Sequence, residues 1–214
     1  MNPKIKNILE WAYCVIIAVV LALVVRNFVG TPTIVKQRSM YPTLKPDQRL
    51  ILNRLAITFH SEIKRGEIIT FEAPSVLKIS QEDADMSNPV AVYNNEPKNI
   101  FQKFVYYGLE WGKTTFIKRV IGLPGEHVEI KDNKVYINGT ELEESYLDSS
   151  VVTTACDGAF TDLIVPDGYI FAMGDNRPQS TDCRSFGCIP ISKIEGKVAF
   201  RFWPLSTWGN PDKK

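Results

Sequence analysis

From Trp11 to Val25 the chain reads WAYCVIIAVVLALVV without a charge, and Ile8, Leu9, Phe28 and Val29 extend the apolar character on both sides. No other segment so limits what this chain can become. A bilayer accepts such a run only as a helix, whose backbone groups satisfy one another internally. At about 1.5 Å per residue, residues 8–29 would reach roughly 33 Å, close to a hydrocarbon core, and the charge-free part alone about 22 Å. The span is short, with Glu10 and Arg26 near its ends, where Arg26 can snorkel and Trp11 and Tyr13 can sit among headgroups. A cleavable leader is the competing reading, since Lys4 and Lys6 precede a mid-length apolar run. Beyond the run, Arg26-Asn27-Phe28-Val29-Gly30-Thr31-Pro32 offers no pair of small residues two apart free of bulky or proline neighbours. The span therefore reads as a retained signal anchor over 8–29, with residues 1–7 inside and 30–214 outside. The charge bias behind that orientation is slight, because Glu10 offsets Lys4 and Lys6 while Arg26, Lys36 and Arg38 lie beyond the span.

The remainder has the composition of a folding domain. Hydrophobic residues make up 44% of the 214 and charged residues 23%, which excludes a disordered chain. Lys and Arg number 25 against 24 acids, so no net field draws nucleic acid. Two histidines and four cysteines without a C-x-x-C pair leave too few spaced ligands for a zinc site. Short apolar segments bounded by turn formers predict strands over 49–56, 66–71, 114–122, 127–130, 134–137, 168–174 and 197–203. HVEI-KDN-KVYI reads as a hairpin, and Asn138-Gly139 as a second tight turn rather than a glycosylation site. The fold class is mainly β. Between Phe71 and Thr114 the pattern breaks down, giving an insertion over about 74–113. Its Phe101, Phe104, Tyr107 and Trp111 recur at helical spacing, with packing on the β core favoured over contact with lipid. Residues 141–162, rich in acids, Ser and Thr, read as loop.

Three segments carry candidate chemistry. Neither G-x-S-x-G nor H-E-x-x-H occurs, and the run ending Gly112-Lys113-Thr114 lacks the first glycine of a phosphate loop, Tyr107 standing there, so no nucleotide site is expected. His60 and His127 read as solvated or packed. Ser39, in Arg38-Ser39-Met40-Tyr41-Pro42-Thr43-Leu44, lies about ten residues beyond the anchor, and Pro42 is expected to keep its segment extended. Lys118 lies in a strand whose alternation puts it on the face of Phe116 and Val120, with Arg119 on the face of Ile117 and Ile121. Burial there would lower its pKa from about 10.4 by several units and make it a neutral base. Third comes a loop of hydrogen-bonding groups between Gly174 and Gly187, with Asp175, Arg177, Ser180, Asp182 and Arg184 placed to form a network.

Together these segments resemble the bacterial type I signal peptidases, membrane-anchored Ser/Lys endopeptidases. The resemblance rests on S-M-x-P-T-L (Ser39–Leu44), Gly66-Glu67, K-R-V-I-G-L-P-G-E (Lys118–Glu126) and G-D-N-R-x-x-S-x-D-S-R-x-x-G (Gly174–Gly187), in order behind an anchor. It implies a β-rich catalytic core with a smaller β excursion within about 126–170. It also implies Ser39 as nucleophile, Lys118 as general base, Ser180 as hydrogen-bonding partner of the lysine, and ion pairing of Asp175 with Arg119 and of Asp182 with Arg184. Met40 would help line the substrate cleft. No cofactor and no metal is implied. The implied partners are signal peptides of exported preproteins, the bilayer and, by proximity, the secretion translocon at a bacterial plasma membrane. Two rivals share features: a self-cleaving repressor-type Ser/Lys protease, which needs a DNA-binding domain where the apolar span stands, and an inactive anchored β-domain adaptor. Two departures stand out. Gln37 occupies a position two before the serine where Ser or Gly is usual, leaving the second oxyanion donor open. Cys183 replaces the serine of D-S-R, and a 183–188 disulfide, which would leave Cys156 unpaired, is also left open.

Overall fold

The computed structural model describes residues 3–94, 96–148, 150–154 and 158–211. Helix α1 (Pro3–Val24) runs on into one π-helical turn, Val25–Val29. Within it Lys6–Val29 forms a helix of 24 residues, long and apolar enough to cross a membrane and with none of its most apolar stretch buried in the protein.

The chain then enters β1 (Gly30–Ile34), β2 (Arg49–Asn53), the short helix α2 (Leu55–Thr58) and β3 (Ile68–Glu72). After α3 (Ile100–Lys103) come β4 (Thr115–Gly122), β5 (His127–Lys131), β6 (Lys134–Ile137), β7 (Thr140–Glu141), β8 (Asp162–Ile164) and β9 (Tyr169–Met173). The helical turn α4 (Cys183–Phe186), β10 (Ile189–Pro190) and β11 (Ile194–Trp203) complete it. Seven strands form one sheet in the order β1-β2-β11-β3-β4-β9-β10, and four form a second, β7-β6-β5-β8. The fold is mainly β, with the smaller sheet falling inside the expected excursion. Local chemistry explains its turns: Asp132 and Asn133 (φ 49° and 63°) close β5 onto β6, and Asn138 and Gly139 (φ 51° and 80°) close β6 onto β7, the left-handed pairs that a two-residue hairpin requires. Strand β1 carries no strand pattern in its sequence GTPTI; Pro32 is tolerated because β1 lies at the sheet's edge.

Every residue of β3 is buried. Ile69 and Phe71 join Phe116, Phe171, Phe186 and, from the small sheet, Val128 and Leu163, while Ile68 joins Val35, Met40, Leu44 and Leu50 in a second cluster. Each such side chain contributes about 1.5–3 kcal/mol by leaving water. Strands β3 and β4 are thereby fixed between two cores, which is what holds Lys118 in place.

The insertion departs from expectation. Helix α3 continues as a π-helical turn, Phe104–Gly108, but Phe101, Phe104, Tyr107 and Trp111 are exposed. The core they were expected to cover is already filled by Phe71, Phe116 and Phe186. Tyr106 does turn inward, its hydroxyl donating to Glu72 Oε1 at 3.1 Å. Cys183 and Cys188 are buried free thiols, so the 183–188 bond left open is not formed; Cys156 lies outside the described residues.

Candidate active site

The Ser39 segment is not extended. Tyr41 N–H closes on the Arg38 carbonyl at 3.0 Å and Leu44 N–H on that of Met40 at 2.8 Å, so the serine rides a pair of turns. Pro42 restrains only the residue before it, and burial of Met40 and Leu44 anchors the turns from below. Asn176 grips them from the other side: its N–H donates to the Ser39 carbonyl at 3.0 Å and its side-chain amide to that of Arg38 at 3.0 Å.

Lys118 projects from the middle of β4, opposite Ile69 of β3, and is only 1% exposed. Its Nζ contacts Ser39 Oγ at 2.7 Å and stands 5.2 Å from the Phe116 ring. Among the described residues no carboxylate pairs with it, because the neighbouring acids are engaged elsewhere. Asp175 accepts from Arg119 Nε and Nη2 at 2.9 and 2.8 Å. Asp182 accepts from Arg184 Nε and Nη2, both at 2.8 Å, and from Gly174 N–H at 3.0 Å. Burial would push the Asp182 carboxyl up, but the Arg184 guanidinium holds it below its ordinary value. Burial likewise lowers the Lys118 pKa to about 8, against an upward pull from Asp182 and with a further push down from Arg184. The alternation of β4 thus sends two adjacent basic residues to opposite buried fates: Lys118 to the serine, Arg119 to an aspartate and to the face of Tyr146, 3.9 Å from its ring centre.

Ser180 behaves differently from the sequence expectation. Its hydroxyl is buried beside Gly174 but makes no hydrogen bond to Lys118 or to any other group among the described residues, since the lysine is turned to Ser39 instead. A groove of about 330 Å³ opens at the serine, lined by Val35, Gln37, Ser39, Met40, Thr115 and Ile117 among others. Gln37 is exposed there. Both walls have free backbone edges: β1 is an outermost strand, and β9 pairs only with the 119–122 half of β4, leaving Thr115–Lys118 open on that side. His60 is exposed and His127 pairs with Asp162 at 2.6 Å on the small sheet; neither lines the groove.

Asn176 and Gly174 escaped sequence reasoning as individual residues although the loop itself was marked, because they act through backbone position. Arg177 is clamped by Glu144 and by Thr153 Oγ1, tying the small-sheet excursion to the site loop. Nothing in an acidic, Ser/Thr-rich segment distinguishes Glu144 in advance.

Over residues 8–203 the sequence matches the family described as signal peptidase, peptidase S26. It is 33% identical over 210 residues to signal peptidase I S of Bacillus subtilis, covering 95% of this chain and 93% of that protein. A probable signal peptidase I-1 of Synechocystis is 34% identical over 193 residues, covering 90% of this chain and 81% of that one. A solved signal peptidase I structure from Enterococcus faecalis shares 29% identity, with a TM-score of 0.41, over 65% of this chain and 98% of that one.

Proposed function

The chain belongs to the signal peptidase family, peptidase S26, and from that membership we propose that it is a membrane-anchored endopeptidase that removes signal peptides from exported preproteins with Ser39 as nucleophile and Lys118 as general base. The observation that carries this reading is the 2.7 Å contact between a buried amine, with no carboxylate partner among the described residues, and a single hydroxyl. A neutral amine takes the proton of Ser39 as Oγ attacks the scissile carbonyl, forming an acyl-enzyme and returning that proton to the departing amine. Water deprotonated by the same amine then hydrolyses the ester. An imidazole needs an acid to fix its tautomer; an amine needs desolvation and an acceptor for its proton-bearing form, the part assigned to the unpartnered hydroxyl of Ser180. The oxyanion faces the N–H of Ser39 and the exposed amide of Gln37.

Substrate enters as an extended strand. The free edges of β1 and of Thr115–Lys118 offer backbone pairing on both sides of the groove, and membership of the signal peptidase family implies small side chains next to the cut, where Val35 and Met40 line the groove. With α1 crossing the plasma membrane, its N-terminus cytoplasmic and the β domain outside near the translocon, the groove meets signal peptides as they emerge.

Incubating the detergent-solubilised protein with a preprotein bearing Ala before its cut should create one new N-terminus at that position. The same preprotein with Trp there should stay whole. An uncut Ala preprotein, together with a Ser39 that resists an acylating inhibitor, would mark the chain as an inactive adaptor instead.

A further inference from the structure

We propose that the insertion segment 98–111 is a second membrane contact, an aromatic float that lies in the headgroup layer beside the exit of α1. The inference rests on the reading of α1 as a membrane span. Ile100, Phe101 and Phe104 occupy positions that share one helical face, and they stand 88%, 72% and 52% exposed; Trp111 lies beyond them at 75%. An exposed aromatic face of this kind, flanked by exposed Lys98 and Lys103, has the make-up of a helix lying in an interface between lipid and water.

The occupant of that face is fixed by where the segment is tied. Glu110 accepts from Arg26 Nη2 at 2.6 Å and also binds Arg54, and Asn27 Nδ2 donates to the Gly108 carbonyl at 3.3 Å. Arg26 and Asn27 belong to the last turn of the 24-residue apolar helix, so the insertion is strapped at the depth where that helix leaves the lipid. Its aromatic face continues the exposed apolar surface of Phe28, at 53%. The straps also give Arg26 a counter-charge at the boundary, the Glu110 carboxylate that it shares with Arg54, and the lysines suit anionic headgroups. An anchor by itself leaves a domain free to swing; a second contact beside it sets which way the groove faces the bilayer.

Nitroxide labels test this in the full-length protein reconstituted into phosphatidylcholine/phosphatidylglycerol vesicles. The background is Cys14→Ala with Cys156→Ala, the remaining cysteines being buried. Labels at Phe101→Cys and Phe104→Cys should collide with oxygen several-fold more, relative to a water-soluble nickel chelate, than a label at Lys131→Cys at the exposed end of β5. A label at Val19→Cys reports the anchor independently. Lipid-like values at 19 with water-like values at 101 and 104 would overturn the float while leaving the anchor standing; water-like values at 19 would overturn the anchor and the float together.

Discussion

Replacing Lys118 by Met is expected to lower cleavage by about 10⁴-fold or more while making the folded β domain more stable at pH 7. Met matches the lysine stem in length and shape without its charge, so packing against Phe116 survives. The stability gain comes from the amine's shift from 10.5 to about 8, equivalent to about 3 kcal/mol of disfavoured charge. The folded-state pKa is the depressed one, so between pH 8 and 10.5 the unfolded chain binds more protons and wild-type stability rises with pH. Below pH 8 the penalty for burying the amine is fully present. The advantage of Lys118→Met should therefore be largest near pH 7 and fade as pH rises toward 10.5, as read by urea unfolding at the two extremes. A Met variant that still cuts preprotein would remove Lys118 from the chemistry, and one that unfolds more readily at pH 7 would deny that burial is what lowers its pKa.

Gly174→Ala should also cut activity sharply, though less than Lys118→Met, for a reason no charge or hydroxyl supplies. A Cβ at this position would sit 2.2 Å from Ser180 Oγ and 2.3 Å from the carbonyl oxygen of Ser39. The first of these can rotate away; the second is backbone of the nucleophile's own turn and cannot. Displacing that turn by about 1 Å is worth roughly 100-fold in rate, and the forced shift costs on the order of 1–3 kcal/mol of stability. The measurement is kcat/KM on a soluble signal-peptide substrate beside a thermal melt. Full activity in the Ala variant would show that the contact between the loop after β9 and the Ser39 turn does not position the nucleophile.

Those two residues also show what a sequence can and cannot disclose. Lys118 was legible because period-two alternation in a strand of eight residues states which neighbours it shares a face with, and an apolar face implies desolvation. The central strands and both hairpin turns were legible for the same reason, local pattern agreeing with local geometry. Gly174 was not, since its importance lies in a close approach between segments more than a hundred residues apart. Strand β1 was missed because Pro32 and Gly30 speak against a strand and only its edge position excuses them. The extended reading of the Ser39 segment failed because a proline preference reaches one residue back, whereas the turns are set by the burial of Met40 and Leu44. For the aromatic insertion, helical spacing was readable but not the side it would face: that depends on whether the core beneath is already filled, which is a property of the whole fold.

The proposed chemistry requires the amine beside Ser39 to work in its uncharged form, and the pH dependence of Ser39 acylation by a signal-peptide substrate reads this directly. With a pKa of about 8, about a tenth of the amine is neutral at pH 7, so the acylation rate should climb tenfold per pH unit below that pKa and level off above it. A rate that is flat from neutral to alkaline pH, or that falls as the amine loses its proton, would contradict it.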